Sequence, residues 1–176
     1  YRGRHLPRSR IVLVTNSRIH TQFYELDKSV LPYELREGGS LPAITIAYET
    51  WGELNADKSN AILLNHALSG SHHAWGLNPD IPEAGDLWQP EMHQGWWEDI
   101  VGPGKAIDTD KFYVICPNYL GGCYGSTGPS STNPETGKPY GSTFPHLTVA
   151  DQANVQAELI KSLGITQLHA AIGPSV

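Results

Sequence analysis

The chain has 176 residues, enough for one domain with a sizeable core, and a composition of 39% hydrophobic and 17% charged residues excludes a disordered segment. The net charge of −6, with Lys and Arg scattered rather than gathered in a stripe, excludes nucleic acid as the main partner. No apolar run approaches the roughly 20 residues that cross a bilayer, so a membrane-spanning helix is excluded as well.

Residues 1–20 carry weak patterns and read as an N-terminal tail, with 21–176 belonging to one domain. Arg2, Arg4, Arg8 and Arg10 precede only the short apolar run 11–14, which lacks the order of a signal peptide, and a cytoplasmic location is expected. Tyr33 to Arg36, the connection Glu37-Gly38-Gly39 and the alternating Ile44, Ile46 and Tyr48 predict a β-hairpin. The continuous apolar run 60–65 predicts a short strand buried on both faces, as in a parallel sheet, and runs 112–116 and 168–172 share its character. Between the last two lies the best helix. Thr148 is placed to cap it, Asp151 completes an approximate capping box, and Gly164 closes it. Val149, Ala153, Ile160 and Leu163 are expected to share its buried face, with Gln156 as the polar break. Strands separated by helix or long loop, opened by an antiparallel hairpin, predict an α/β protein with a mostly parallel sheet. The 18 Gly and 13 Pro predict long ordered loops around that frame.

Cys116 and Cys123 fit neither a CxxC redox pair nor a zinc knuckle, and read as one buried small apolar residue and one loop residue. The chain closes on Gly173-Pro174-Ser175-Val176, directly after a strand. Gly-x-Ser there matches the first part of a nucleophile elbow, in which a tight strand-to-helix turn lifts a serine hydroxyl clear of the sheet. Alone, these residues fit an ordinary strand-ending turn equally well. His66-Ala67-Leu68-Ser69-Gly70 follows an earlier buried strand. By position, the backbone amides of Leu68 and Val176 would form an oxyanion hole for a nucleophile at Ser175. His66 itself is expected to pack under its loop, satisfied by backbone partners. A metal site from His66, His72 and His73 is disfavoured, because adjacent histidines point in different directions. Trp75, Trp88, Trp96 and Trp97 fit either a ligand channel or a cover for the sheet. The glycine- and hydroxyl-rich segment 121–131 lacks the Gly-Lys-Ser/Thr of a phosphate-binding loop, which leaves a rigid loop at a pocket mouth or a plain structural loop.

Taken in order, Ala47-Tyr48-Glu49-Thr50-Trp51-Gly52-Glu53-Leu54-Asn55, His66-Ala67-Leu68-Ser69-Gly70, Gly95-Trp96-Trp97, Gly102-Pro103-Gly104, Ile107-Asp108-Thr109, Asn118-Tyr119-Leu120-Gly121-Gly122-Cys123, Gly125-Ser126-Thr127-Gly128-Pro129-Ser130-Ser131, Tyr140-Gly141 and Phe144-Pro145 form a longer pattern. It resembles the homoserine O-acetyltransferase family, which includes homoserine and serine O-succinyltransferases, over residues 18–176. The resemblance implies an incomplete α/β-hydrolase fold, with the C-terminal half, the triad aspartate and histidine, and the helical lid beyond Val176. It further implies ping-pong acyl transfer through Ser175, from acetyl-CoA as a substrate to L-homoserine, in methionine biosynthesis. It implies no metal or prosthetic group, a homodimer at full length, and inactivity and poor stability for these 176 residues alone. Pro174 stands where the family often carries glycine. Succinyl transfer, an esterase with the same elbow, and a binding module in which Ser175 is only a turn residue are the alternatives.

Overall fold

A computed structural model describes residues 19–174. Ser175, Val176 and positions 1–18 of the expected tail lie outside the described residues. Ile19 donates its N–H to Leu77 O at 3.1 Å. The elements run in chain order as β1 (Gln22–Glu25), β2 (Tyr33–Glu34), β3 (Ser40–Leu41), β4 (Thr45–Trp51), β5 (Ala61–Leu64), β6 (Val101–Gly102), β7 (Ile107–Asp108), β8 (Tyr113–Pro117), β9 (Thr132–Asn133), β10 (Lys138–Pro139), α1 (Val149–Ser162) and β11 (Ala170–Ile172), with short 3-10 turns between.

A five-stranded sheet in the order β1-β4-β8-β5-β11 forms the frame. β4 lies antiparallel to β1 and β8, while β8, β5 and β11 run parallel. Each long apolar run therefore became a sheet strand, and the sheet is mixed, with its parallel part at the β8–β11 side. The expected hairpin is corrected. Ile46 and Tyr48 belong to β4, whose partners are β1 and β8, whereas Tyr33 and Glu34 pair with Leu41 and Ser40 in a separate small ribbon. The reason is burial. Five of the seven positions of β4 are buried, which a central place in the sheet provides and an outlying hairpin does not. Gly38 and Gly39, at φ of 95° and 84°, make the ribbon's turn in a region that L side chains avoid.

Period-two alternation divides the core between the two faces of the sheet. Ile46 and Tyr48 of β4, Ala61 of β5 and Ile115 of β8 face α1, where they meet Val155, Leu159 and Ile160. Trp51, Ile62, Leu64, Val114 and Cys116 face the other way and are covered by Trp75, Trp96 and Trp97. The tryptophans thus serve as sheet cover; Trp88 packs with Ile81 and Ala84 in a small third cluster. β11 is only half-buried, unlike β5 and β8, because it stands at the edge of the described sheet.

The helix starts as expected. Thr148 Oγ1 accepts from Asp151 N at 3.2 Å, and Asp151 Oδ2 accepts from Thr148 N at 2.8 Å. Ile160 and Leu163 pack against the core as expected, but the first half of its buried face is rotated from the expected one. Asp151, Val155, Gln156, Leu159 and Ile160 are buried, whereas Val149 is 66% exposed and Ala153 is also exposed. The capping carboxylate decides the rotation: Asp151 Oδ1 also accepts from Arg36 N at 3.1 Å, which turns position 151, and with it 155 and 159, inward. Gly164, at φ of 72°, ends the helix, and Lys58 Nζ donates to Leu163 O at 2.8 Å.

Candidate active site

The parallel strands β5, β8 and β11 all end on the same edge of the sheet, which brings together the loops that leave them. Leu63 and Leu64 of β5 lie opposite Ala171 and Ile172 of β11, and Asn65 N donates to Ile172 O at 2.8 Å. Gly173 therefore arrives against Asn65, one residue before the candidate oxyanion loop. A Cβ at Gly173 would stand 3.2 Å from Asn65 Cβ and 3.3 Å from its carbonyl oxygen, so glycine allows this approach.

The loop 66–70 is a tight turn, closed by Gly70 N donating to Ala67 O at 2.8 Å. At its apex Leu68 is 82% exposed, and among the described residues its amide donates to no acceptor. The incoming end is held by Tyr119 Oη, which donates to His66 O at 2.7 Å, and by the His66 ring lying 4.2 Å from that of Tyr119. His66 is buried as expected, but only half satisfied. Nδ1 lies 2.7 Å from Ala67 O and so carries the proton, while Nε2 has no partner among the described residues. Burial lowers its pKa, against the raising effect of the Ala67 carbonyl.

Loops 66–70 and 118–124 wall a cavity of about 260 Å³, with Leu68, Ser69, Asn118, Cys123 and Tyr124 among its lining. A second cavity of about 520 Å³ lies on the far side of Cys123, toward Phe23, Thr45 and Ser131. The segment 121–131 contributes to both, which is the rigid-loop alternative for that stretch. Its hydroxyls fasten it to β4: Ser126 Oγ accepts from Ala47 N at 3.0 Å and donates to Asn118 O at 3.0 Å, and Thr127 Oγ1 accepts from Thr45 N at 2.8 Å.

His66, His72 and His73 do not converge on a common point. Instead His72 and His73 turn toward Glu49 of β4, a fully buried carboxylate that composition and spacing did not single out. His73 Nδ1 lies 2.7 Å from Glu49 Oε2, and its Nε2 lies 3.1 Å from Gly76 O and 3.0 Å from His93 O. All of these neighbours are acceptors, so both ring nitrogens donate and the ring is an imidazolium. Burial works against that charge, but the Glu49 hydrogen bond and charge and the two carbonyls outweigh it and raise the His73 pKa. Asn78 Nδ2 donates to Glu49 Oε1 at 2.6 Å, and Thr21 Oγ1 donates to the same oxygen at 3.2 Å.

His72 is neutral. Its Nδ1 accepts from Asn118 Nδ2 at 3.4 Å and its Nε2 donates to Thr21 Oγ1 at 2.9 Å. Burial pushes its pKa down to about 4; Glu49 opposes the shift, and the charges of His73 and His66 add to it. The same surroundings push up the Cys116 thiol, which is buried and faces the Glu49 charge, whereas Cys123 is exposed in its loop. Sequence reasoning missed Thr21, Glu49, Asn78 and Asn118 as one network. The available signal was a carboxylate at an inward position of an alternating strand beside a pair of adjacent histidines.

A sheet of this order, with a glycine-terminated strand beside a free-amide loop, is an α/β-hydrolase fold. Esterase E22 superposes with a TM-score of 0.74 at 41% identity, covering 89% of this chain and 41% of that one. The homoserine O-acetyltransferase from Bacillus anthracis superposes with a TM-score of 0.73 at 36% identity, covering 90% of this chain and 40% of that one. In sequence, the chain is 50% identical over 173 residues to the homoserine O-succinyltransferase of Alkalilimnicola ehrlichii, covering 98% of this chain and 41% of the relative. It is 54% identical over 145 residues to the homoserine O-acetyltransferase of Methanosphaerula palustris, covering 82% of this chain and 28% of the relative. No family model matches the chain. Over most of their length these 176 residues are homologous to proteins named homoserine O-acetyltransferase and homoserine O-succinyltransferase. They span about two fifths or less of the length of those relatives. Among the described residues, no helix is long and apolar enough to cross a membrane.

Proposed function

We propose that the protein to which these residues belong transfers an acetyl group from acetyl-CoA to the hydroxyl of L-homoserine, through an acyl-enzyme on Ser175, in methionine biosynthesis. The observation that carries this reading is the placement of Gly173, two positions before Ser175 in sequence, against Asn65, the residue that leads into the loop with the unengaged Leu68 amide. Ser175 Oγ attacks the thioester carbonyl, the C–S bond breaks, and CoA leaves as the thiol. The homoserine hydroxyl then attacks the acyl-serine, and the Ser175 alkoxide leaves and regains a proton. The Leu68 and Val176 amides hold the oxyanion of both tetrahedral intermediates, each worth about 2.7–4 kcal/mol of barrier. The base is a histidine that follows the nucleophile in the chain order of this fold. The roles of His66, His72 and His73 fit that assignment, since all three are engaged in holding loops. No metal or prosthetic group enters the scheme.

The relatives divide between acetyl and succinyl donors. Acetyl is favoured by the cavity beside loop 66–70, whose lining among the described residues is uncharged, whereas a succinyl carboxylate calls for a cation. The structural likeness to esterase E22 supports a second reading, in which water takes the acyl group. Thiol release by the full-length protein, with acetyl-CoA or succinyl-CoA and with or without homoserine, separates these. Release that requires homoserine and disappears in Ser175→Ala establishes transfer; equal release without homoserine replaces it with hydrolysis.

A further inference from the structure

The Leu68 amide is useful to an oxyanion only if it is held in place, yet the Leu68 side chain packs against little. Its position depends on the two ends of loop 66–70. Tyr119 and the His66 ring hold the incoming end. The outgoing end passes directly into Ser71, His72 and His73. There, Trp96 Nε1 donates to Ser71 O at 2.8 Å, Ser71 Oγ accepts from His73 N at 3.3 Å, and both histidines run into Glu49. The same network reaches the facing wall of the cavity through Asn118, which joins His72 Nδ1 to Tyr124 O at 3.4 and 3.3 Å.

We infer that the buried Glu49–His73 ion pair is the positioning device of the candidate oxyanion loop, fixing its outgoing end and, through that end, the place of the Leu68 amide. The inference rests on the acyl-serine reading above and adds residues to it that touch neither substrate nor acyl group. A buried ion pair is a poor source of net stability, because the desolvation of both partners offsets their attraction. Its directional bonds are a good source of geometry: Glu49 accepts from three residues on two segments, Thr21 on one and His73 and Asn78 on the other, and His73 donates to three acceptors. Loss of the Glu49 charge removes the reason for His73 to hold both protons. With no acceptor at position 49, His73 Nδ1, Thr21 Oγ1 and Asn78 Nδ2 all lose a partner, and the segment carrying the loop's outgoing end is released.

The test uses the full-length protein and Glu49→Leu, which fills the site but offers no acceptor, with acylation of Ser175 followed as the burst of p-nitrophenol from p-nitrophenyl acetate and as thiol release from acetyl-CoA. The burst amplitude counts folded, competent sites, so a fall in the amount of folded protein is separated from a fall in rate per site. The expected result is an acylation rate per site lowered at least tenfold, toward the roughly 10²–10³ of a lost oxyanion donor, with KM changed less than about threefold. An unchanged rate per site overturns the inference. If Glu49→Leu yields no folded protein, the unaltered protein decides through the ¹⁵N imidazole resonances of His73. Two protonated nitrogens at pH 7 support the device, and a neutral ring overturns it. A wild-type protein that shows no burst and no thiol release removes the acyl-serine reading, and this assignment with it; a silent wild type is distinguishable from an active wild type with an indifferent variant.

Discussion

Acidification below pH 7 weakens the fold through His72 of the buried network. Its folded pKa is about 4, against 6.5 for an exposed imidazole, so the folded state resists a proton that the unfolded chain accepts. For a histidine depressed in this way, stability is fully present above pH 6.5 and is lost as the pH falls toward 4. The full shift corresponds to about 3 kcal/mol, and linkage gives a loss of about 2 kcal/mol between pH 7 and pH 5 from this group alone. His73 works in the opposite direction. Its pKa is raised, so its contribution is fully present below 6.5 and is lost only as the pH rises through its folded value. His66, lowered by burial, adds a contribution of the same sign as His72. The assay is urea unfolding at half-unit steps from pH 7 to pH 5, on wild type and His72→Asn. The wild type loses stability with falling pH, and the variant, although less stable at pH 7, has a slope shallower by about 2 kcal/mol over the interval. Equal slopes in the two proteins would refute a neutral, desolvated His72.

Removing the helix cap by Thr148→Ala costs about 1 kcal/mol in urea unfolding, since Asp151 N and the Asp151 carboxylate both lose a partner; a change below 0.3 kcal/mol would contradict the capping box. Leu159→Ala, at a fully buried position where α1 meets the sheet, costs about 2–5 kcal/mol by the same measurement, and Val149→Ala, on the exposed side, less than about 0.5. If the two cost the same, the rotation assigned to the helix is wrong. Tyr119→Phe removes one hydrogen bond to His66 O, costs about 1 kcal/mol, and speeds amide hydrogen exchange in loop 66–70 more than in β5; unchanged exchange there would show that the loop is held elsewhere.

What could be read beforehand was local. Runs such as 60–65 and 112–116 are apolar without alternation, and only a strand covered on both faces accounts for that, so β5 and β8 were legible with their class of sheet. Thr148 and Asp151 mark a helix start by bonds that span three residues. Pairing was less accessible: the pattern Ile44, Ile46, Tyr48 says that β4 is a strand, but its neighbours are chosen by burial from distant segments. The helix face failed for a related reason. Val149 and Ala153 are apolar, yet Asp151 is the residue turned inward, because a backbone amide at Arg36 completes its shell. The network around Glu49 was hidden most thoroughly. Its hydrogen-bonded partners stand 24 to 57 positions apart, and a glutamate in a strand looks like a solvent-facing residue until the strand's second face is seen to be covered.

The two cysteines offer a practical handle on this molecule. Cys116 is shut inside the sheet with its thiol held in the protonated form, and Cys123 stands exposed on the partition between the two cavities. An alkylating fluorophore at neutral pH will therefore choose Cys123 over Cys116 without any engineering. A dye placed there reports occupancy of either chamber from a single attachment point, and one bulky enough to fill the smaller chamber becomes a plug beside Leu68.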